Sequence, residues 1–237
     1  MDITINSKLF AQVFDINPKV SPSDLIISED CDMVCFRLCD ISFSNFDKGF
    51  FEVEKPILIL GTGDDDTDKV LLSSLAESLN DRVCIIGNIN EKTYKEIVPA
   101  VVKTGHYAVL KTPIDINLAK ELNILAIDLG LAPDKIIMNT DIGGLGYGYE
   151  FGYSIMEKVR LEGEKDKFLH YPLFSDASYE ALRTKEAKSD TFGKSWGDIQ
   201  TRAKMIELSA CAGIMAAGAN IITVKYPENI RVLKGLV

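Results

Sequence analysis

Few residues in this chain have types and spacings suited to chemistry. Gly61-Thr-Gly-Asp-Asp-Asp-Thr-Asp68 follows an apolar run and opens a helical pattern, where a phosphate loop would stand. It lacks the third glycine of a dinucleotide fingerprint, and its four aspartates would repel a phosphate. Carboxylates at a helix start are favoured by the macrodipole and by capping, so the segment reads as a helix cap. Cys31, Cys35 and Cys39 share one parity and would face one side of a strand. Without loop-borne spacing and a fourth ligand they read as buried thiols, not cluster ligands. His106 and His170 have no partner at metal-ligand spacing and read as structural, His170 within a strand and His106 just before one. No nucleophile elbow or Walker sequence appears, which leaves a hydrolase or NTPase without support.

Two stretches look built for binding. In Asp141-Ile-Gly-Gly-Leu-Gly-Tyr-Gly-Tyr-Glu150, four glycines cost backbone entropy and give no packing in return. Such a cost fits a backbone that must come close to a ligand or partner. Tyr147, Tyr149, Phe151 and Tyr153 alternate with small residues there and offer flat aromatic surface, and a helix follows from Ser154. The second stretch, Lys111-Thr-Pro-Ile-Asp-Ile-Asn117, sits between a strand and a helix. Thr112 or Asp115 suits an N-cap, and Pro113 suits a helix entry.

The elements that must hold these residues follow from periodicity. Short apolar runs at Pro56–Leu60, Val83–Ile86, Tyr107–Leu110, Lys135–Met138 and Asn220–Val224 have the near-continuous hydrophobicity of parallel strands buried on both faces. Leu9–Phe14, Met33–Leu38 and His170–Phe174 bring the expected strands to eight. Between them, Leu71, Leu72, Leu75 and Leu79 recur at helix spacing, as do Leu118, Leu122, Leu125 and Leu129. Asp24 to Ile27 is short for a first helix, and the Phe- and Ser-rich segment from Asp40 to Glu54 is short for a second. The expected fold is an α/β (β/α)8 TIM barrel with shortened first helices, one domain over residues 1–237. An open doubly wound sheet is the alternative. In a barrel, Asn88, the 111–117 segment and the glycine loop fall on the C-terminal face, where sites are built.

Composition narrows the partners. The 237 residues carry a net charge of -9, which disfavours nucleic acid and anionic membrane surfaces. The stretch from Leu208 to Val224 is interrupted by Gly213, Gly218 and Asn220, and is too short to span a bilayer. Five cysteines, with no basic-then-apolar leader in MDITINSKLF, fit a reducing cytoplasm.

In their order and spacing, TPIDIN (112–117), ELNIL (121–125), IGGLGYGYEFGYSIMEKVRL (142–161) and SYEALRTKEAK (178–188) resemble one family. It is the small subunit of the corrinoid iron-sulfur protein, the delta subunit of the CO dehydrogenase/acetyl-CoA synthase system. The likeness runs from about Pro56 to the C-terminus. It implies a TIM barrel that pairs as a heterodimer with a large subunit bearing the iron-sulfur cluster and most corrinoid (cobalamin) contacts. The corrinoid would lie between the subunits, against the C-terminal face of this barrel. In the reductive acetyl-CoA pathway of carbon fixation, such a complex takes a methyl group from methyltetrahydropterin through a methyltransferase. It then passes that group to the nickel centre of acetyl-CoA synthase. Both of these proteins would be transient partners.

The resemblance implies a scaffold and cap with no catalytic residue, metal ligand or iron-sulfur cluster of its own. The expected corrinoid or large-subunit contacts are Gly143, Gly144, Gly146, Tyr147 and Gly148, with Asn88, Thr112, Asp115 and Asn117 on the same face. Two departures stand out. The region before Pro56 is shorter than the family's, and Met138-Asn139-Thr140 stands where related pterin-binding methyltransferases carry an acidic residue after the sixth strand. That acid would hydrogen-bond the pterin; an amide there both donates and accepts. The missing acid weakens a catalytic pterin-binding reading. With the barrel likeness, Asn88 and Asn139 in its favour, a stand-alone pterin-dependent methyltransferase-like barrel is kept as the alternative function, and a shortened regulatory or remnant protein is a third.

Overall fold

A computed structural model describes residues 5, 7–112, 114–140 and 149–237. Eight parallel strands follow one another around a ring: β1 (Leu9–Ile16), β2 (Met33–Leu38), β3 (Ile57–Leu60), β4 (Ile85–Ile89), β5 (Tyr107–Lys111), β6 (Ile136–Asn139), β7 (Phe174–Ser175) and β8 (Ile221–Val224). β1 pairs with both β2 and β8, and the bridge between Met138 and Leu173 joins β6 to the β7 side. This closure excludes the open doubly wound sheet.

Alternation along the strands sorts side chains into two cores. Ala11, Val13, Met33, Cys35, Leu58, Val109 and Phe174 belong to the set that fills the barrel. Their neighbours Phe10, Phe36, Ile57, Ile59 and Ile136 face outward to the helices. Those helices are α1 (Asp65–Ser78), α2 (Tyr94–Thr104), α3 (Ile116–Asp128), α4 (Tyr149–Gly163), α5 (Ala177–Arg183), α6 (Lys185–Lys188), α7 (Ile199–Ala217) and α8 (Pro227–Lys234). On α3 the buried residues are Ala119, Leu122, Asn123 and Ala126, while the periodic Leu129 beyond its end is exposed.

The first two crossovers contain short 3-10 turns in place of α-helices, at Pro22–Asp24, Phe43–Asn45 and Lys48–Phe51. Other groups cover the outside of β1 and β2. The Gln12 amide donates to the Ile26 carbonyl at 3.0 Å and accepts from the Ser28 N–H at 2.7 Å, which lays the first crossover along β1. Over β2, Phe36 packs against Phe50 with centroids 5.8 Å apart, and Phe46 against Phe51 at 4.9 Å. Three crossover rings, Phe46, Phe50 and Phe51, thus bury the Phe36 face of β2 that a full helix would otherwise cover. The Arg82 guanidinium fastens this segment by donating to the carbonyls of Phe51, Val53 and Lys55.

Three local expectations change. β7 begins at Phe174, and His170 lies ahead of it, exposed, with Nδ1 3.0 Å from the Gly163 carbonyl. The run from His170 meets β6 at one bridge, Leu173 opposite Met138, where the Pro172 carbonyl accepts from the Met138 N–H at 2.8 Å, and among the described residues it extends no further into a ladder. The three cysteines do not share a face. Cys35 fills the barrel, whereas Cys31 precedes β2 and packs in the outer core, and Cys39 follows the strand's end. Cys31 stands two residues before β2 begins, so the strand's alternation does not fix the side it takes. Finally, Tyr149, Phe151 and Tyr153 lie within α4, which starts five residues before Ser154. Helical spacing separates them: Tyr149 donates to the Ala210 carbonyl at 2.6 Å, while Phe151 points to solvent.

Candidate functional site

The C-terminal mouth of the barrel is built by carrying the inward parity of each strand one step further. After Ala11 and Val13 comes Asp15; after Met33 and Cys35 comes Arg37; after Phe174 comes Asp176; after Ile221 come Thr223 and Lys225. These residues plug one half of the mouth. Arg37 donates through Nη2 to Asp176 Oδ1 at 2.6 Å, through Nε to Asp176 Oδ2 at 3.2 Å, and through Nη1 to Asp15 Oδ1 at 2.6 Å. Thr223 Oγ1 donates to Asp176 Oδ1 at 2.6 Å, and Lys225 Nζ to Asp15 Oδ2 at 3.0 Å. The Tyr179 ring covers the guanidinium, 4.5 Å from its carbon.

Two carboxylates and two cations neutralise one another. Burial disfavours the charged form of Asp15, but Arg37 and Lys225 outweigh it and hold the carboxyl below its usual range. The Arg37 charge is likewise held by Asp176 against the cost of burial. Beneath them the Cys35 thiol is pushed well up, first by burial and then by Asp176. A thiol so placed is no nucleophile.

Among the described residues, the other half of the mouth is open. A cavity of about 330 Å³ is lined by Gly61, Gly63, Asp65, Asp68, Asn88, Asn90, Glu91, Lys111 and Thr112. Its aspartates serve the loop. Asp68 accepts from Thr62 N at 2.7 Å, Thr62 Oγ1 at 2.8 Å and Gly63 N at 3.0 Å, and a side chain at Gly61 would run into that carboxylate. Asp64 caps α1 through Thr67 N, as its position predicts, and Asp65 accepts from Asn90 Nδ2 at 2.8 Å. Asn88 reaches the mouth because the register between β4 and β5 shifts between Ile86 and Ile89. There Asn139 Nδ2, from the end of β6, donates to Asn88 Oδ1 at 2.8 Å. Next to it Thr140 is buried, its Oγ1 without a hydrogen-bond partner among the described residues.

The expected site residues therefore separate. Asn88 and Thr112 line the cavity together. Asp115 caps α3, accepting from Asn117 N at 2.8 Å and Leu118 N at 3.2 Å, and Asn117 is exposed on the first turn of that helix. Gly143, Gly144, Gly146, Tyr147 and Gly148 lie outside the described residues. Asp15, Arg37, Asp176, Thr223 and Lys225 were not expected. Their signal is a charged or hydroxyl residue on the inward parity just where a strand ends. Among the described residues no group of three or more His, Cys, Asp or Glu is placed to hold a metal ion, and no helix is long and apolar enough to cross a membrane.

Fold and mouth together define a (β/α)8 barrel whose described C-terminal face offers amides and internally paired charges. Solved structures of similar fold include the dihydropteroate synthase of Yersinia pestis (TM-score 0.66, 11% identity, covering 98% of this chain and 93% of that one). Another is dihydropteroate synthase from Xanthomonas albilineans in complex with 7,8-dihydropteroate (TM-score 0.62, 10% identity, 99% and 95% covered). Such low identity speaks to the fold alone. The particular family is set by sequence: residues 27–228 match the model of the CO dehydrogenase/acetyl-CoA synthase delta subunit, and the chain belongs to that family.

The match starts ahead of Pro56, so it takes in β2 as well. Relatives include the acetyl-CoA decarbonylase/synthase complex subunit delta of Methanocaldococcus jannaschii, 30% identical over 184 residues, 77% of this chain and 45% of the relative. That of Archaeoglobus fulgidus is 28% identical over 192 residues, 77% and 42%. The chain thus spans about half the length of the curated relatives it matches.

Proposed function

We propose that this chain is the scaffold-and-cap subunit of a corrinoid iron-sulfur methyl carrier, positioned beside a corrinoid held by a large subunit. The reading is supported by family membership and carried by one observation, the state of the mouth. Its titratable plug (Asp15, Arg37, Asp176, Lys225) is spent on internal ion pairs, and the amides of Asn88 and Asn139 pair beside the cavity. A surface of this kind suits contact with a large neutral macrocycle better than proton transfer or nucleophilic attack.

The fit has a definite form. A corrin ring is larger than the 330 Å³ cavity, so it would rest on the rim instead of entering. Asn88 and Thr112 would meet its polar edge, the buried Thr140 hydroxyl would gain a partner, and residues 143–148 are the proposed close backbone contact. The corrinoid supplies the methyl-carrying metal. The residues of this chain orient it, exclude water from one face and mate with the large subunit.

Co-expression with the corrinoid iron-sulfur large subunit tests the proposal. A stoichiometric complex with cobalamin absorbance is expected. A chain that stays alone beside that subunit overturns the reading.

The second reading, a pterin-dependent methyltransferase-like barrel, draws on the Asn88–Asn139 amide pair, which could meet the donor and acceptor edge of a pterin. Calorimetry with methyltetrahydrofolate decides it: binding by the isolated chain supports this reading, and silence at millimolar ligand removes it.

A further inference from the structure

We infer that the apolar groove between the start of α4 and residues 201–210 of α7 is where an acidic, amphipathic segment of the large subunit docks; this rests on the subunit reading above. The groove has a volume of about 630 Å³ and is lined by Tyr149, Trp196, Arg202, Met205, Ile206 and Ala210. Trp196 is 53% exposed and Met205 54%, two large apolar side chains held side by side in water. Trp, Met and Arg are the residue types that interface cores favour.

The floor is organised before anything binds. The Trp196 ring packs on Phe192 with centroids 4.9 Å apart, and the Arg202 guanidinium lies over Phe192 at 5.0 Å. Arg202 also donates to the carbonyls of Glu186, Ser189 and Gly197, which staples the segment carrying Trp196 onto α7. Little side-chain entropy is then left to lose on association.

Charge selects the occupant. Between Arg183 and Lys204 there are six basic and three acidic residues, in a chain with 26 basic and 35 acidic overall. Lys185, Lys188 and Lys194 are exposed and form no ion pair among the described residues. This border attracts a partner with acidic flanks, whereas a second copy of a chain with net charge -9 is repelled as a whole. Position agrees: Tyr149 both lines the groove and follows directly on residues 141–148, so a segment seated here adjoins the proposed corrinoid contact.

The test uses the full chain and the tagged large subunit, with affinity measured by calorimetry at low and high salt. Met205→Asp and Trp196→Ala are each expected to weaken the complex by tenfold or more while leaving thermal unfolding of the isolated chain unchanged. The triple reversal Lys185→Glu, Lys188→Glu, Lys194→Glu should weaken it at low salt, with the difference shrinking as salt screens the charges. Val70→Asp, on the exposed face of α1, is the control and should bind as wild type does. If wild type binds and Met205→Asp binds equally well, the docking site is wrong and the subunit reading stands. If wild type forms no complex, the subunit reading falls and takes the docking site with it. If Met205→Asp instead dissociates a dimer of the isolated chain, the occupant is a second copy and the inference is overturned.

Discussion

Arg37 and Asp176 are 139 residues apart in sequence and meet in a two-point ion pair across the barrel mouth, Nη2 to Oδ1 at 2.6 Å and Nε to Oδ2 at 3.2 Å. The pair ties the end of β2 to the start of α5, and Thr223 draws β8 into the same knot. Only 8% of Arg37 is exposed, so its charge depends on these partners.

Replacing Arg37 by Met leaves Asp15 with Lys225 alone and takes from Asp176 its arginine partner. We expect a loss of about 3–5 kcal/mol in urea unfolding. The double variant Arg37→Met, Asp176→Asn should recover part of it, because no charge is then left unpaired at that point. A double variant no more stable than the single one would show that the pair is not the origin of the cost.

The Asp15 carboxyl, held below its usual range, gives the mouth a pH dependence of known sign. A group whose folded pKa is depressed stabilises the fold above its unfolded value, near the ordinary 3.8, and that contribution is lost as pH falls through the folded pKa. Asp15→Asn should therefore flatten the acid limb of the stability curve below about pH 4.

His106 behaves in the opposite sense to a surface histidine. It is fully buried, with Nε2 2.9 Å from the Ala76 carbonyl, while Nδ1 accepts from the Cys84 N–H at 3.2 Å. Those partners assign the neutral tautomer with its proton on Nε2. Burial pushes its pKa below the ordinary 6.5. The unfolded chain takes up the proton first, so stability falls as pH drops through 6.5 toward the lower folded value. A proton titration by NMR should find the His106 ring more than half neutral at pH 6.5.

Glu207 on α7 is a completely buried carboxylate that accepts from Ser178 Oγ at 2.6 Å, Lys225 N at 2.7 Å, Asn229 Nδ2 at 2.8 Å and Tyr226 N at 3.1 Å. These bonds hold the entry to α8. Burial nonetheless lifts its pKa above the ordinary 4.5, so charged Glu207 costs stability at neutral pH and that cost is relieved as pH falls toward 4.5. Glu207→Gln removes this relief, and it turns an amide N–H₂ toward donors. A loss of about 1–3 kcal/mol is expected in thermal or urea unfolding.

At Gly87 an added Cβ would lie 2.5 Å from Val109 Cβ, inside the barrel. Gly87→Ala should cost about 1–3 kcal/mol. Val109→Ala on the same background should return part of it, whereas a fully tolerated Gly87→Ala would mean that the strands can part there without penalty.

Local chemistry made much of the molecule readable from residue order alone. The continuous apolar runs of β3, β4, β5, β6 and β8, the Asp64 and Asp115 caps and the weak early helices are written in neighbours a few residues apart. Family membership was legible too, because GLGYG and its companion motifs keep their order and spacing. Tertiary structure alone decided the rest. A two-residue β7 closes the ring, three phenylalanines do the work of a helix over β2, and helical spacing disperses Tyr149, Phe151 and Tyr153. The knot of Arg37, Asp176 and Asp15 belongs here as well. Periodicity reports which face of its own element a residue takes. Which distant residue it meets depends on barrel closure and register, and these are set by all eight strands together.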